Sequence, residues 1–218
     1  MIPKVIHQIW VGGELPDHLR AYTRTWREQH PDWRYRLWTD ATLPGFLAEH
    51  APDVRRLYDD AERYVPADAV GQFRSDLGRY VILGHRGGLY ADTDTVCLKP
   101  MDPFLEGETE WAAMEDGHWI GNTYMASEPW GTVIGHILSG LHRNIERRER
   151  GWRANKLTGP KYITPIWKKY GGTVSPSRLF FPYSYNDVKL GTVPKTFDAD
   201  TVAIHHWAHT RSLMEAKK

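Results

Sequence analysis

The chain has one cysteine, Cys97, which rules out an internal disulfide and fits a reducing compartment. No secretory leader is expected from its opening: MIPKVIHQIWVGG carries the β-branched and aromatic pattern of a strand, with no basic segment before a long apolar core. No apolar run approaches the roughly 20 residues that a membrane-spanning helix requires. Neither sign of charge dominates, and a formal net charge of +1 gives no whole-molecule attraction to nucleic acid or to an anionic membrane. Repeats, low-complexity tracts and linker-like stretches are missing as well. These absences lead to the expectation of a single domain over residues 1–218, with a charged C-terminal tail from about residue 211. The expected location is cytoplasmic, with peripheral contact at the inner face of a membrane as a variant of it.

The residues present describe an ordinary globule, 41% apolar and 25% charged. Ten tryptophans and eleven tyrosines are many for this length. Packing and rimming a core is the commoner use of such residues, and stacking on sugars or bases is the other.

Residues 4–11 (KVIHQIWV) read as a strand that runs into Gly12-Gly13. In a parallel sheet, the carboxyl end of such a strand is where ligands sit. Trp10 would then offer a flat face to a base; otherwise it is a core tryptophan of a buried strand. Residues 15–30 carry Leu19, Tyr22 and Trp26 at helical spacing, and Pro31 stops them. Residues 33–38 alternate as a second strand, so the chain opens like a βαβ unit of an α/β fold. A helix is expected over 52–64.

Pro66 then opens a helix over 67–84, with Val70, Phe73, Leu77, Tyr80, Val81 and Gly84 as its buried stripe. Ser75, Asp76 and Arg79 share an adjoining face. There they form either a minor exposed ion pair or, facing a cleft, an acceptor for ribose hydroxyls (Asp76) and a donor to phosphate or sugar oxygens (Arg79).

That helix ends at Gly87-Gly88. A short strand, Leu89-Tyr90-Ala91, follows, and then Asp92 and Asp94 flank a threonine. Two carboxylates just beyond a strand end suit a hard divalent cation such as Mg2+ or Mn2+. In isolation, the same string is an Asp-rich turn.

Further strands are expected over 96–98, 111–115, 120–126, 173–175, 179–181 and 201–207, and helices over 131–148 and 158–170. The end of the first of these helices carries Arg143, Arg147, Arg148, Arg150 and Arg153. That group is either a solvated basic end or a contact for phospholipid or an anionic acceptor. The last strand carries His205 and His206, with His209 beyond it.

Together, the opening IPKVIHQIWVGG, the central RSDLGRYVILGHRGGLYADTDTV with KPMD behind it, the GNTYMA run from Gly121, Thr158-Gly159-Pro160 and Phe181-Pro182 resemble the DXD-sugar glycosyltransferases. That group includes outer-chain α-mannosyltransferases, capsular polysaccharide transferases and the catalytic domains of large glucosylating toxins. The resemblance runs from Ile2 to about Trp207. It implies a GT-A (Rossmann-like) single domain, a mixed central sheet flanked by helices. It also implies a nucleotide-sugar donor, a divalent metal (Mn2+ or Mg2+) and retention of anomeric configuration.

By position, the resemblance assigns Trp10 to stacking on the donor base. Ser75, Asp76 and Arg79 match a helix that binds ribose, sugar and diphosphate, and Tyr90 lines the ribose site. Asp94 binds the metal directly, Asp92 binds it directly or through water, and Asn122 contacts the donor sugar. Relatives often read H-x-x-A-G-S-W near the C-terminus. Here His205 and Ala208 keep that spacing, making His205 the third metal ligand, while the Gly-Ser-Trp is missing. Strand alternation places His205 and His206 on opposite faces, so one of them sees the metal. The donor is expected to be a UDP-sugar, with GDP-mannose as the alternative. The acceptor is a saccharide, a lipid-linked sugar or another hydroxyl compound. Two rivals come from other classes: a Mg2+-dependent phosphohydrolase of the D-x-D-x-T/V type, for which no later acidic pair is found, and an inactive sugar-binding module.

Overall fold

The computed structural model describes residues 1–149 and 152–208, so Arg150, His209 and the charged tail lie outside the described residues. The strands are β1 (Val5–Ile9), β2 (Arg34–Trp38), β3 (Gly88–Ala91), β4 (Thr95–Cys97), β5 (Glu110–Met114), β6 (Ile120–Ser127), β7 (Thr173–Ser175) and β8 (Ala203–His205). Six of them form a sheet in the order β2-β1-β3-β6-β5-β7, and β4 pairs with β8 in a separate ribbon. Strand β6 runs antiparallel to both neighbours, while the other pairs in the large sheet are parallel. The expected mixed α/β sheet and the opening βαβ unit are therefore present.

The helices are α1 (Asp17–Gln29), α2 (Leu43–His50), α3 (Pro52–Asp59), α4 (Val70–Arg86), α5 (Asp102–Leu105), α6 (Thr132–Glu146), α7 (Ala154–Leu157), α8 (Pro160–Tyr170), α9 (Ser177–Phe180) and α10 (Tyr185–Leu190). None is long and apolar enough to cross a membrane. Successive strand residues feed two cores. Tyr90, Ala112 and Met125 join a cluster with α2, α4, α6 and α8. Leu89, Trp111 and Tyr124 join one with Trp26 of α1 and Phe180 of α9. The sheet is covered on both faces, which is why β3 and β6 are buried throughout, mostly with apolar side chains. Trp26, Trp38, Trp111 and Trp167 are fully buried, so much of the tryptophan content is core.

Several elements differ from the sequence expectation. Residues 179–181 are not a strand: the turn α9 occupies Ser177–Phe180, closed by the Phe181 amide on the Ser177 carbonyl at 2.7 Å. A short aromatic and aliphatic run does not by itself distinguish strand from helix, and Pro176 sets the φ of −68° that leads into the turn. The helix over 52–64 breaks at Asp59 and continues as a 3-10 turn, Ala61–Arg63. Residues 67–69 are likewise a 3-10 turn preceding α4. Helix α2 had no sequence expectation.

Helix α4 is buried on almost every side from Asp76 to Gly84, beyond the single stripe its periodicity indicates. It ends where Gly87 adopts φ 62° and Gly88 φ 98°. A Cβ on Gly87 would meet Pro3, Pro129 and the Ser127 carbonyl at 2.8 Å, so only glycine allows the chain to turn into β3 there. Of the basic group at the end of α6, Arg143, Arg147, Arg148 and Arg153 are exposed. Arg148 lies over the Tyr64 ring and Arg153 pairs with Asp68 at 2.6 Å, as a solvated end would.

Candidate active site

The registers Ile9↔Trp38, His7↔Tyr90, Ala91↔Tyr124 and Met114↔Ile120 bring the carboxyl ends of β1, β2, β3 and β5 and the start of β6 to one edge of the sheet. Trp10, Asp92, Asp94 and Asn122 all lie just beyond or at that edge. Ribbon β4-β8 carries His205 to the same place through the pairing Thr95↔His205. The Asp94 carbonyl accepts from the His206 amide at 2.9 Å, and its Oδ2 accepts from the Ala208 amide at 2.9 Å. The C-terminal strand is thereby clipped to the aspartate turn.

Asp92, Asp94 and His205 each offer a ligand atom, and these atoms lie within 4.8 Å of one another. His205 Nε2 is 3.2 Å from Asp94 Oδ1, and its buried Nδ1 has no partner among the described residues. Two carboxylates and an imidazole are the donors that Mn2+ or Mg2+ chemistry uses, and the spacing is near that of ligands sharing one ion. These residues therefore fit a divalent metal. Although burial works against charge on both groups, the ion pair prevails: His205 holds Asp94 down to about 2, and Asp94 raises His205. A metal here must displace the proton of that pair. His206 points elsewhere, stacked on Tyr22 with ring centroids 4.5 Å apart and in contact with the Tyr183 hydroxyl at 3.2 Å. Of the two histidines, His205 is the one that lies beside Asp92 and Asp94.

Beneath the metal-ligand group lies a buried charge network. Arg79 is 3% exposed. Its Nη2 is 3.2 Å from Asp76 Oδ1 and 3.1 Å from Asp92 Oδ1. Its Nη1 donates to the Asn122 carbonyl, and its Nε donates to the Ser75 carbonyl at 3.3 Å. The guanidinium also lies 4.4 Å from the Tyr90 ring centroid. Burial disfavours its charge, but Asp92, Tyr90 and Asp76 outweigh that and raise it above the usual guanidinium range. Asp76 accepts from Asn122 Nδ2 at 2.8 Å and from Thr158 Oγ1 at 2.7 Å. Desolvation nevertheless pushes it up to about 6.

The Tyr90 hydroxyl donates to Asp92 Oδ1 at 2.7 Å, and Gln8 Nε2 and Thr95 Oγ1 donate to the Asp92 carbonyl at 3.0 and 2.5 Å. The sequence-nominated Ser75, Asp76, Arg79, Tyr90, Asp92 and Asn122 thus belong to one contiguous network, while Asp94 is tied to His205 and the C-terminal strand. Asp76 and Arg79 form neither of the arrangements expected from sequence in pure form: they are an ion pair, but a buried one, and its charge is directed onto Asp92. Ser75 is half-buried at the margin of the network.

Trp10 is half-buried, beyond the end of β1, and its backbone amide donates to the Trp38 carbonyl at 2.8 Å. Its indole Nε1 is buried without a hydrogen-bond partner among the described residues. The Gly12 and Gly13 amides are pinned by Asp40 Oδ2 at 2.9 and 3.1 Å, which shapes the loop beside it.

Sequence reading missed three contributors. Gln8, fixed by the Tyr35 hydroxyl at 2.8 Å, carries no sequence signal. Tyr80, whose hydroxyl receives Asn122 Nδ2 at 3.0 Å, was counted only as core. Glu115, just past β5, is half-buried, and burial pushes its carboxyl up to about 7. An acid at a strand end in a Glu-Asp-Gly turn was the available clue.

Residues 16–111 match the family described as the glycosyltransferase sugar-binding region containing a DXD motif. Inositol phosphoceramide mannosyltransferase 2 of Schizosaccharomyces pombe is 31% identical over 171 residues, covering 78% of this chain and 47% of that protein. The initiation-specific alpha-1,6-mannosyltransferase of Candida albicans is 34% identical over 110 residues, 47% of this chain and 27% of that protein. The chain thus spans about half the length, or less, of these curated relatives. Among solved structures, the PaToxG glycosyltransferase superposes with a TM-score of 0.60 at 21% identity, covering 77% of this chain and 69% of that one. The fold is therefore GT-A.

Proposed function

Residues 16–111 of this chain belong to the DXD-containing sugar-binding region of glycosyltransferases, and from that premise we propose that the protein is a metal-dependent, retaining glycosyltransferase. It would move a hexose from a nucleotide-diphosphate sugar to a hydroxyl acceptor. The observation that carries this reading is the convergence of Asp92, Asp94 and His205, from two distant segments, to within 4.8 Å. The matched family favours it over the phosphohydrolase.

Asp92, Asp94 and His205 would hold Mn2+ or Mg2+, which when bound neutralises charge on a departing diphosphate. The chain's own residues prepare that site. Arg79 supplies a fixed positive charge behind Asp92, and Tyr90 and Arg79 together orient Asp92 Oδ1. Such preorganised charge stabilises a transition state without reorganising during the reaction. By the family resemblance, Trp10 would stack on the base, Ser75 and Asp76 would contact the ribose and sugar, and Asn122 would contact the donor sugar. Retention follows the family resemblance: the acceptor oxygen bonds to the anomeric carbon as the bond to the diphosphate breaks. The acceptor proton passes to the departing phosphate oxygen on the same face.

The names of the relatives favour a mannosyl donor over the UDP-sugar expected from the toxin-like Trp10-Val11-Gly12-Gly13, because both of those reported are mannosyltransferases. The inositol phosphoceramide in one name likewise favours a lipid-linked acceptor, to which the exposed arginines at the end of α6 would be suited. A cytoplasmic location at a membrane surface is consistent with the reduced Cys97 and those arginines, and cell fractionation tests it.

The enzymatic test incubates the protein with Mn2+ and GDP-mannose, UDP-glucose, UDP-galactose or UDP-N-acetylglucosamine and measures nucleoside diphosphate release with and without EDTA. Metal-dependent release supports the transferase. Phosphate release from a monoester in its place identifies a hydrolase, and neither activity leaves a binding module.

A further inference from the structure

Of the segments that end at the ligand-bearing edge of the sheet, the one after β5 has no part in the assignments above. It ends in Glu115, placed at the edge by the Met114↔Ile120 pairing and held there by two backbone bonds. Its amide donates to the Trp119 carbonyl at 2.8 Å, and its carbonyl accepts from Ser177 Oγ at 2.6 Å. The side chain starts beside Gly121: a Cβ there would stand 3.3 Å from Glu115 Cβ and 3.2 Å from Phe181 Cζ. The Phe181 ring packs in turn edge-on to His205, with centroids 5.9 Å apart. Glu115 therefore enters the space between the start of β6 and the His205 side of the metal-ligand group. Its carboxyl is within electrostatic reach of His205, Asp92 and Asp76.

Each neighbouring acid has a partner of its own. Asp94 has His205, Asp92 has Arg79 and Tyr90, and Asp76 has Arg79, Asn122 and Thr158. Among the described residues, the Glu115 carboxyl has no hydrogen bond or ion pair. A half-buried carboxyl without a protein partner is costly unless something else occupies its hydrogen-bonding sites. It is no part of the fold's own hydrogen bonding, and the cation that acts on it, His205, is already paired with Asp94. A carboxyl beside a metal–diphosphate site but outside the metal's ligand set suits a neutral, hydroxyl-rich group. Burial, which pushes it up to about 7, allows it both to donate and to accept.

We propose that Glu115 is a sugar-binding residue that hydrogen-bonds hydroxyls of a hexose lying beside the metal-ligand group, and so helps set sugar specificity. This rests on the transferase reading and deepens it. The hexose is either the one being transferred or the acceptor, and the chemistry recognised is the same.

The test compares wild type with Glu115→Gln and Glu115→Ala. Three quantities are measured: affinity for GDP with Mn2+, hydrolysis of GDP-mannose with water as the only acceptor, and transfer from GDP-mannose to methyl α-mannoside. GDP affinity is expected to be unchanged, which also shows that the variants fold. The Ala variant is expected to lose about 10- to 100-fold in kcat/KM, and the Gln variant less, since an amide still bonds hydroxyls. Loss in hydrolysis and transfer together assigns the contact to the donor sugar, and loss in transfer alone assigns it to the acceptor. If wild type releases GDP and both variants match it in every assay, the assignment of Glu115 is wrong while the transferase reading stands. If wild type releases no nucleoside diphosphate from any of the nucleotide sugars tested above, the transferase reading fails and this one with it. A variant whose GDP affinity falls in parallel with its rates shows a structural role and overturns the assignment.

Discussion

The two edges of the central sheet bury polar groups in opposite ways. At the edge where β5 begins, Glu110 is 5% exposed, and its two oxygens accept from the Val133 and Ile134 amides at 2.8 and 2.9 Å. It satisfies the free N–H groups of α6 and sits at the positive end of that helix. Nearby, His7 accepts from Trp38 Nε1 at 3.2 Å through Nδ1. An indole can only donate, so Nε2 carries the proton and donates to the Gly87 carbonyl at 3.1 Å. At the opposite edge, the carboxylates of Asp76, Asp92 and Asp94 meet mainly charged or polar side chains, with one backbone amide, that of Ala208, on Asp94, and the Glu115 carboxyl has no hydrogen-bond partner among the described residues. Where backbone groups complete a buried charge, the group is part of the fold. Where like charges crowd together with few cations to offset them, the chain bears an electrostatic cost that a cation and a ligand would relieve.

The sharpest way to break this contrast is at Asp94. Asp94→Ala should reduce metal-dependent nucleoside diphosphate release by about 10³-fold or more, while the circular dichroism spectrum stays native. Full turnover by this variant would remove the metal assignment. At the other edge, Glu110→Ala should leave activity per folded molecule intact but cost about 2 to 4 kcal/mol in urea unfolding, because two buried amides lose a charged partner. A change in KM with unchanged stability would mean that the two edges do not divide as described.

The pH dependence separates them further. Burial lowers His7 from the usual 6.5 to about 4. The unfolded chain then binds a proton that the folded chain refuses, so this contribution is present above 6.5 and is lost as pH falls toward 4. Asp76, raised to about 6, acts in the other direction: its contribution is present in acid and is lost as pH rises through about 6. His7→Gln should therefore flatten the acid limb of stability, removing up to about 3 kcal/mol of the fall between roughly pH 7 and pH 4. Identical limbs in wild type and variant would show that His7 titrates normally. The smallest effect is expected at Trp10. Trp10→Ala should raise the donor KM about 10-fold through lost base stacking while the acceptor KM stays put; an unchanged donor constant would return Trp10 to a packing role.

The parts of this site that were legible in the sequence are those whose signal is local. Gly87-Gly88, the short strand and the Asp92-Thr93-Asp94 turn lie together in the chain, and strand alternation indicated that only one of His205 and His206 could face that turn. The illegible parts depend on pairing across the sheet. Nothing in the sequence around Gln8 says that its amide will reach the Asp92 carbonyl, 84 positions away. The helical turn at Ser177–Phe180 was read as a strand because a few apolar residues fit either geometry.

By itself, then, the sequence determined the α/β class and the resemblance to the DXD glycosyltransferases, and nominated most of the candidate metal-ligand group, because periodicity, glycine punctuation and a contiguous motif are properties of neighbouring residues. Only the tertiary structure decided three things: that Arg79 lies buried behind Asp92 instead of on an open face, that Asn122 is tied into the Asp76 network, and that Glu115 joins the same edge. Each depends on strand register and on desolvation. Both arise from distant segments packing together, and neither is encoded in any short stretch of the chain.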